Sequence, residues 1–403
     1  MPKFAKRIET MNSEVDKLMV LINSLVNGNV ISFGGGAPAL EAYPMEQLNE
    51  IAQAVFQRTP AGYGAFKYGS AMGNEDLRKA VRDILLAPRG LKADIGNIMI
   101  TAGGIQPITF MSQLYLDPGD VVLVEAPSFV QTSMIFKMFE AKLVPCEMAD
   151  DGLVMEDVEE KIKKYNPKFI YTVPTFQNPT GITMSLEKRK RLAELASQYD
   201  VIVLEDDPYR EIRYSGEELP YIKSFDTTGN VVLANSFSKI FAPGARMGYL
   251  VADDKIIQKF VNLKLGNDTC TNGVTQALCA EFFARGLYPQ HLENLCNIYR
   301  SRRDAMLKAM DESFPQGTKH TYPDGGYYVW VELPEGLDAT ALKAEIAEKT
   351  SIVYGDGSIF FSEGNEPGAG ARCMRMNFTG LPEDVIDVNI RKLGAFFCEK
   401  LGK

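Results

Sequence analysis

The sequence predicts an α/β protein with a mostly parallel sheet between helices, followed by a smaller α+β region. Through the middle of the chain, apolar runs alternate with helical patterns, and this strand–helix–strand order implies right-handed crossovers. After about residue 255 the pattern changes, and a long helical periodicity precedes two isolated strands. These two observations favour two packed regions rather than one.

Each predicted central strand is apolar along its whole length, as expected for a sheet that helices cover on both faces. The strands lie at 97–101, 121–127, 168–174, 201–207, 230–236 and 247–252. Helices are predicted from Ile105 to about Leu116 and from residue 186 through "LEKRKRLAELASQYD".

The C-terminal part is predicted to hold a helix at 290–313, a strand at 325–333, a helix at 338–349, a strand at 373–378 and a final helix opened by Pro382. We therefore divide the chain into an N-terminal arm (1–40) packed on the small domain, a large domain (41–290) and a small C-terminal domain (291–403). Residues 18–26, "LMVLINSLV", predict an amphipathic helix that is too short to span a membrane.

The composition excludes several classes of function. A net charge of −9 with no basic run argues against a nucleic-acid face. Six cysteines without CxxC spacing and only two histidines make a zinc or other metal site improbable, and they favour reduced thiols in the cytoplasm. We expect a protein that binds neither nucleic acid nor membrane.

Polar residues follow the predicted strands at the edge where open parallel sheets bind ligands. Gly103 and Gly104 form either a tight turn or, with the following helix N-terminus, an anion site. Asn178, in "QNPTG", either only helps to form a turn or serves as a rigid hydrogen-bond donor to a ligand oxygen. The acids of "LEDDPYRE" end a strand, where a carboxylate is either solvated, bound to a metal or paired with a cation.

Lys239 lies in "SFSKIFAPGARMGY", just past a buried strand and seven residues before Arg246. A lysine taken at random is a solvated surface residue. A lysine that is desolvated beside another cation has a lowered pKa, which makes its amine nucleophilic. An amine nucleophile, an anion cradle, a carboxylate and a rigid amide together are what pyridoxal phosphate requires.

In this combination the chain resembles the class I/II aminotransferases of fold type I over nearly its full length. The motifs "NPTG", "DDPY", "SFSK" and "MRMNF" occur in that family's order and approximate spacing. The segments "FGGGAPALEAYP" and "YGSAMGNEDLRKAV" are similar to the subgroup that acts on aromatic amino acids and 2-aminoadipate. The resemblance implies a pyridoxal phosphate enzyme that is active as a homodimer.

The resemblance also implies a role for each matching residue. Lys239 would form the Schiff base and move the proton at the substrate Cα, and Asp206, three before Tyr209, would pair with the ring nitrogen. Cofactor contacts would come from Gly103, Gly104, Ile105, Phe129, Asn178, Asp206, Tyr209, Ser236, Ser238, Lys239 and Arg246, with the partner subunit's Tyr68 reaching the phosphate. Arg375 would bind the substrate α-carboxylate, with Gly36 and Asn178 beside the substrate.

The chain departs from the family's pattern in three ways. Gly104 replaces a hydroxyl residue, Phe129 replaces a more polar aromatic residue, and no second arginine for a distal carboxylate is identified, which argues against aspartate as substrate.

Three functions are compatible with these residues. The first function is transfer of an amino group from an aromatic, 2-aminoadipate or branched-chain L-amino acid to a 2-oxo acid such as 2-oxoglutarate. The second is another reaction of the same cofactor, as in a C–S β-lyase or decarboxylase. The third is a regulatory binding domain, for which we expect too few residues before Phe33 and the wrong charge.

Overall fold

The computed structural model describes residues 3–9, 15, 19, 30–36 and 38–402. Its strands are β1 (Ile31–Ser32), β2 (Ile98–Thr101), β3 (Val121–Ala126), β4 (Lys142–Ala149), β5 (Gly152–Leu153), β6 (Phe169–Thr172), β7 (Ile202–Asp206), β8 (Val231–Ser236), β9 (Gly248–Val251), β10 (Lys319–His320), β11 (Tyr328–Glu332), β12 (Ile352–Val353), β13 (Gly355–Asp356) and β14 (Cys373–Asn377).

The α-helices are α1 (Lys6–Glu9), α2 (Met45–Val55), α3 (Pro60–Gly64), α4 (Glu75–Ala80), α5 (Ile105–Tyr115), α6 (Val130–Met138), α7 (Met155–Tyr165), α8 (Leu186–Tyr199), α9 (Asp254–Asn267), α10 (Gly273–Ala284), α11 (Tyr288–Ser313), α12 (Ala339–Thr350) and α13 (Glu383–Lys400). The helix predicted at 18–26 lies outside the described residues except for Met19.

The large sheet has eight strands in the order β2-β9-β8-β7-β6-β3-β4-β5. All six predicted central strands are present, and the predicted α/β class is confirmed. The pairs β3–β4, β3–β6, β6–β7 and β7–β8 are parallel, whereas β9 runs antiparallel to both its neighbours. Because β2 and β8 flank β9, the carboxyl ends of β2, β3, β6, β7 and β8 all face the same edge.

Alternate side chains of the sheet enter two separate cores. On β3, Leu123 packs in the core that α7 and α8 cover, while Val122 and Val124 belong to the larger core on the other face. This two-sided burial is the physical reason for the continuous apolar runs. Strand β4 was not predicted, because it exposes Lys142 and Glu147 near the edge of the sheet and so lacks such a run.

The C-terminal sheet has the order β10-β11-β14-β13, with β14 antiparallel to both neighbours. The predicted helices and strands of this region are confirmed within a few residues. The N-terminal segment joins it, because β1 pairs in parallel with β12 and the Asn377 N–H donates to the Phe33 carbonyl at 2.8 Å. Among the residues described, no helix combines the length and apolar character needed to cross a bilayer.

Candidate active site

A cavity of about 350 Å³ opens at the carboxyl edge of the large sheet. It is lined by Gly104, Ile105, Ile108, Phe129, Gln131, Asp206, Pro208, Tyr209, Ser236, Ser238, Lys239, Pro243 and Arg246. Most of the residues predicted for the cofactor therefore meet in one place, although they come from the ends of β2, β3, β7 and β8. Gln131, Ile108, Pro208 and Pro243 also line the cavity and were not predicted.

Lys239 is held in the cavity by its ammonium group. The Lys239 Nζ donates a hydrogen bond to the Gly36 carbonyl at 2.6 Å and lies 4.9 Å from the centre of the Tyr327 ring. Desolvation, helped by the charges of Arg375 and Arg246, lowers the pKa of this amine to about 8. A substantial fraction of the amine is thus uncharged near neutral pH, as a nucleophile requires.

We expect the amine of Lys239 to react over a pH range well below that of an ordinary lysine. In the cofactor-free protein, the rate of reductive methylation at residue 239 is expected to rise with pH to a midpoint near 8, because the neutral amine is the reactive form. Mass spectrometry of the peptide gives the rate. Arg375→Met should move this midpoint upward, since it removes a nearby cation. A wild-type midpoint close to 10.5, the ordinary pKa of a lysine side chain, would contradict the expectation.

Asp206, the last residue of β7, also lines the cavity. Its Oδ2 accepts a hydrogen bond from the Tyr171 hydroxyl at 2.8 Å. Burial raises the pKa of Asp206 to about 7, the Tyr171 bond opposes this rise, and the neighbouring Asp207 charge adds to it. Asp207 points elsewhere and accepts from Arg210 Nε at 2.7 Å, so the structure separates the two adjacent acids into a cavity group and a buried ion pair.

Asn178, Tyr209 and Arg375 form a connected chain beside Lys239. The Asn178 Nδ2 lies 3.4 Å from the Tyr209 hydroxyl, and the Arg375 Nη1 donates to Asn178 Oδ1 at 2.9 Å. The Arg375 Nη2 donates to the Gly34 carbonyl at 2.6 Å, while its buried Nε has no hydrogen-bond partner among the residues that the structure describes. Arg375 lies on β14, so the C-terminal sheet supplies this cation to the large sheet's edge.

The predicted anion cradle brings together two glycines, two hydroxyls and one arginine. Helix α5 begins at Ile105, so the N–H groups of its first turn lack intrahelical acceptors. Gly103 has φ +81°, and a Cβ there would overlap the guanidinium of Arg246. Ser236 Oγ donates to Ser238 Oγ at 2.9 Å. Glycine at 103 is what lets the arginine approach this turn.

Two predicted residues lie apart from this cluster or at its margin. Tyr68 is 92% exposed in the single chain. Gly36 lies at the margin, where its carbonyl accepts from Lys239 and a Cβ would collide with the Tyr328 hydroxyl. Tyr171 was not predicted as a site residue, because its strand, "KFIYTVP", has only the pattern of a buried strand.

Comparison with known proteins decides the family. The model for "Aminotransferase class I and II" matches residues 29–393. The chain belongs to this family. It is an aminotransferase, and the aromatic-amino-acid and 2-aminoadipate aminotransferases among its relatives support transamination of amino acids.

Three relatives illustrate the similarity. The aromatic-amino-acid aminotransferase 1 of Thermococcus litoralis is 38% identical over 97% of this chain and 93% of its own. The crystal structure of the Pyrococcus horikoshii kynurenine aminotransferase in complex with PMP has a TM-score of 0.88 at 37% identity, covering 96% of this chain and 95% of that chain. LysN, the α-aminoadipate aminotransferase of Thermus thermophilus, complexed with N-(5'-phosphopyridoxyl)-L-leucine, has a TM-score of 0.87 at 30% identity and covers 99% and 98% of the two chains. The predicted fold type and subgroup are confirmed.

The residues present fit pyridoxal phosphate, the cofactor of this aminotransferase. The cavity is lined by Gly104 and Arg246, which with Gly103 form the predicted anion cradle, by the carboxyl group of Asp206 and by the amine of Lys239, whose pKa is lowered. Arg246 comes close to Gly103 just before the N-terminus of α5, so a guanidinium and free N–H groups are available to a doubly charged phosphate. The predicted cofactor is confirmed by the family and by the PMP and phosphopyridoxyl complexes of solved relatives.

Proposed function

We propose that the chain transfers the amino group of an aromatic, 2-aminoadipate or branched-chain L-amino acid to 2-oxoglutarate. The observation that carries this proposal is the partly buried amine of Lys239, which lines one cavity with Asp206 and Arg246 and whose pKa the nearby Arg375 helps to lower. When bound, the cofactor supplies a conjugated ring that accepts the electron pair left after the substrate Cα loses its proton.

Each residue of this chain has a distinct part in the proposal. Lys239 would form the covalent link to the cofactor and, once released, would move the proton at the substrate Cα as a general base. Asp206 would pair with the protonated ring nitrogen. The Tyr209 hydroxyl and the Asn178 amide would donate hydrogen bonds to the cofactor's phenolic oxygen, and Phe129 would stack on its ring.

The phosphate would be held by the amides of Gly104 and Ile105 and by the side chains of Ser236, Ser238 and Arg246, with Gly103 as the turn that admits Arg246. Gly104 has no side chain to donate, so backbone amides replace a hydroxyl at this position. The cofactor is thereby anchored at its phosphate and at its ring nitrogen.

Arg375 is proposed to bind the substrate α-carboxylate. Its side chain is 2% exposed, it stacks on Tyr328 at 4.3 Å and on Phe360 at 4.9 Å, and its Nε is unpaired. A planar guanidinium fixed in this way presents two parallel donors to a carboxylate. Gly36, whose carbonyl contacts Lys239, lies over the substrate, and Asn178 is bonded to both Arg375 and Tyr209.

Arg375→Lys is expected to raise the KM for both the amino acid and the oxo acid by about 10- to 100-fold, because a bidentate hydrogen bond to a charged group is lost. Steady-state kinetics at saturating cofactor measure this. Arg372→Lys is a suitable control, since Arg372 lies on the same segment and is paired with Glu332 at the surface. Equal KM values for Arg375→Lys and wild type would contradict the assignment.

The aromatic groups near Arg375 favour a large or apolar substrate side chain. Tyr327 and Tyr328 are buried in the main core, yet Tyr327 also faces Lys239 and Tyr328 faces Arg375. The segment 322–330 thus belongs to the core and to the site at once. The aromatic specificity named for one relative agrees with this environment.

The proposed function is tested with a panel of amino donors against 2-oxoglutarate. Half-reactions of the bound cofactor, followed by absorbance, report which donors react, and equimolar formation of the new oxo acid and glutamate identifies transfer. Aromatic, 2-aminoadipate or branched-chain donors should be fastest, and aspartate slow. Release of ammonia or carbon dioxide without glutamate would contradict the proposal.

We also propose that the enzyme is a homodimer. Between residues 40 and 68 the single chain exposes the apolar or aromatic side chains of Leu40, Met45, Phe56, Tyr63, Phe66 and Tyr68. A concentration of exposed apolar groups of this kind is typical of an interface. In the dimer the partner subunit's Tyr68 would reach the phosphate in the cavity.

A hybrid dimer tests the position of Tyr68. Tyr68→Phe is expected to weaken cofactor binding by about 10-fold, because one hydrogen bond to a charged phosphate is lost. In a hybrid of Tyr68→Phe with Lys239→Ala, the one site that has Lys239 receives an intact tyrosine from the other subunit. That site should bind cofactor as in the wild type. Binding as weak as in the Tyr68→Phe homodimer would show that Tyr68 serves its own chain.

The division into an arm (1–40), a large domain (41–290) and a small domain (291–403) remains our proposal, and the pairing of β1 with β12 supports it. Limited proteolysis that cuts within 41–290 before it cuts near residue 290 would contradict it.

We propose that the enzyme acts in the cytoplasm, which agrees with its free cysteines. Cell fractionation tests this.

A further inference from the structure

A buried tyrosine lies directly behind the carboxylate of Asp206. Tyr171 is on β6, next to β7 in the sheet, and its side chain is fully buried. Its hydroxyl donates to Asp206 Oδ2 at 2.8 Å. In the part of the chain that the structure describes, no other side chain is seen to donate to this carboxylate.

The direction of this hydrogen bond is fixed by a second group. Thr132, on α6, donates from its hydroxyl to the Tyr171 oxygen at 3.1 Å. Tyr171 has one hydroxyl proton, and because its oxygen accepts from Thr132, that proton is directed to Asp206. The Tyr171 ring is held by edge-to-face packing on Phe136, with centroids 5.7 Å apart. Helix α6 and strand β6 therefore fix the hydroxyl group that donates to the Asp206 carboxylate on β7.

The charged groups around Asp206 make this hydrogen bond important. Asp207 is adjacent but is committed to Arg210, and Glu125 is buried nearby with Thr172 and Gln177 as donors. Burial and the charge of Asp207 raise the pKa of Asp206, and the hydrogen bond from the Tyr171 hydroxyl lowers it. Without this hydrogen bond, Asp206 would be a stronger base and would compete with the cofactor ring nitrogen for the proton.

We infer that Tyr171, with Thr132 behind it, is a positioning residue that keeps Asp206 charged and oriented, so that the shared proton lies on the cofactor ring nitrogen. This inference rests on the proposed function. Tyr171 does not touch the substrate and acts through Asp206. A carboxylate that accepts a strong hydrogen bond is a weaker base, and the proton then stays on the nitrogen.

The test uses the intact enzyme loaded with ¹⁵N-labelled pyridoxal phosphate, whose nitrogen resonance distinguishes the protonated from the neutral ring. Tyr171→Phe should move this resonance toward the neutral value and lower kcat by about 10- to 100-fold, with KM changed far less. Thr132→Val should change both in the same direction by less. Phe136→Leu, which alters the packing around Tyr171 and Phe169 but removes neither hydrogen bond, should leave the resonance unchanged.

A wild-type resonance in Tyr171→Phe would overturn the inference, even if kcat falls, since a structural role alone would then explain the loss. Thr132→Val provides the same test if Tyr171→Phe fails to fold. The proposed function has its own test: it fails if the wild type binds no cofactor or traps no borohydride adduct at Lys239. Wild-type transamination with an unaltered mutant resonance rejects only the role of Tyr171.

Discussion

Lys239→Ala is expected to abolish transamination, with a loss of at least about 10⁴-fold in kcat. Two steps depend on the same amine, which forms the covalent bond to the cofactor and then moves the Cα proton. Among the described residues that line the cavity, Arg246 is the only other cationic side chain, and a guanidinium does not act as a base near neutral pH. Single-turnover absorbance measurements with a fast amino donor would give the residual rate.

The variant should still bind pyridoxal phosphate, because Arg246, Ser236, Ser238 and Asp206 remain at the two ends of the cavity. Borohydride should trap no adduct on the peptide containing residue 239. Lys223→Ala is the control, since Lys223 is also largely buried, with Asp226 as its partner, and lies away from the cavity. A normal turnover rate in Lys239→Ala would refute the assignment of Lys239.

Asp206→Ala is expected to lower kcat by about 10²- to 10³-fold, because removal of one preorganised charge at a reacting group typically costs this much. Without the carboxylate, nothing at this end of the cavity holds the ring-nitrogen proton, and the ring withdraws electrons less strongly. The cofactor should also be retained less tightly. Pre-steady-state rates of the half-reaction and cofactor dissociation constants measure the two effects separately.

The neighbouring acid provides the matched control. Asp207→Asn breaks the buried ion pair with Arg210, which is expected to cost about 3–5 kcal/mol of unfolding free energy while leaving the ring nitrogen protonated. Asp206→Ala should show the opposite pattern, with little loss of stability and a large loss of rate. If Asp207→Asn lost the ring-nitrogen proton instead, the assignment of the two acids would have to be exchanged.

The acids Asp206 and Asp207 also show what local sequence can and cannot specify. Both end the same apolar strand, so the sequence predicts two carboxylates at the sheet edge. Only the folded chain brings Tyr171 to the first and Arg210 to the second. The bond from Tyr171 joins residues 35 positions apart, and no local pattern encodes that distance.

The sheet shows the same division. Strands such as β3, β7 and β8 were predicted because each is buried on both faces and is therefore apolar throughout. The antiparallel direction of β9 and the existence of β4 were not predicted. Strand direction depends on the connection and on the neighbouring strands, and β4 is partly exposed at its polar positions.

The sequence by itself determined the strands, the order of the motifs and the chemistry that Lys239, Asn178, Asp206 and Arg246 offer at their ends. Those features are local, because a buried strand and the turn after it are written in consecutive residues. The tertiary structure alone decided that Arg375 reaches Asn178 across 197 positions, that Lys239 lies under Gly36, and that Tyr171 supports Asp206. Those contacts join neighbouring strands of one sheet or separate parts of the fold, where the partners are close in space and far apart in the chain.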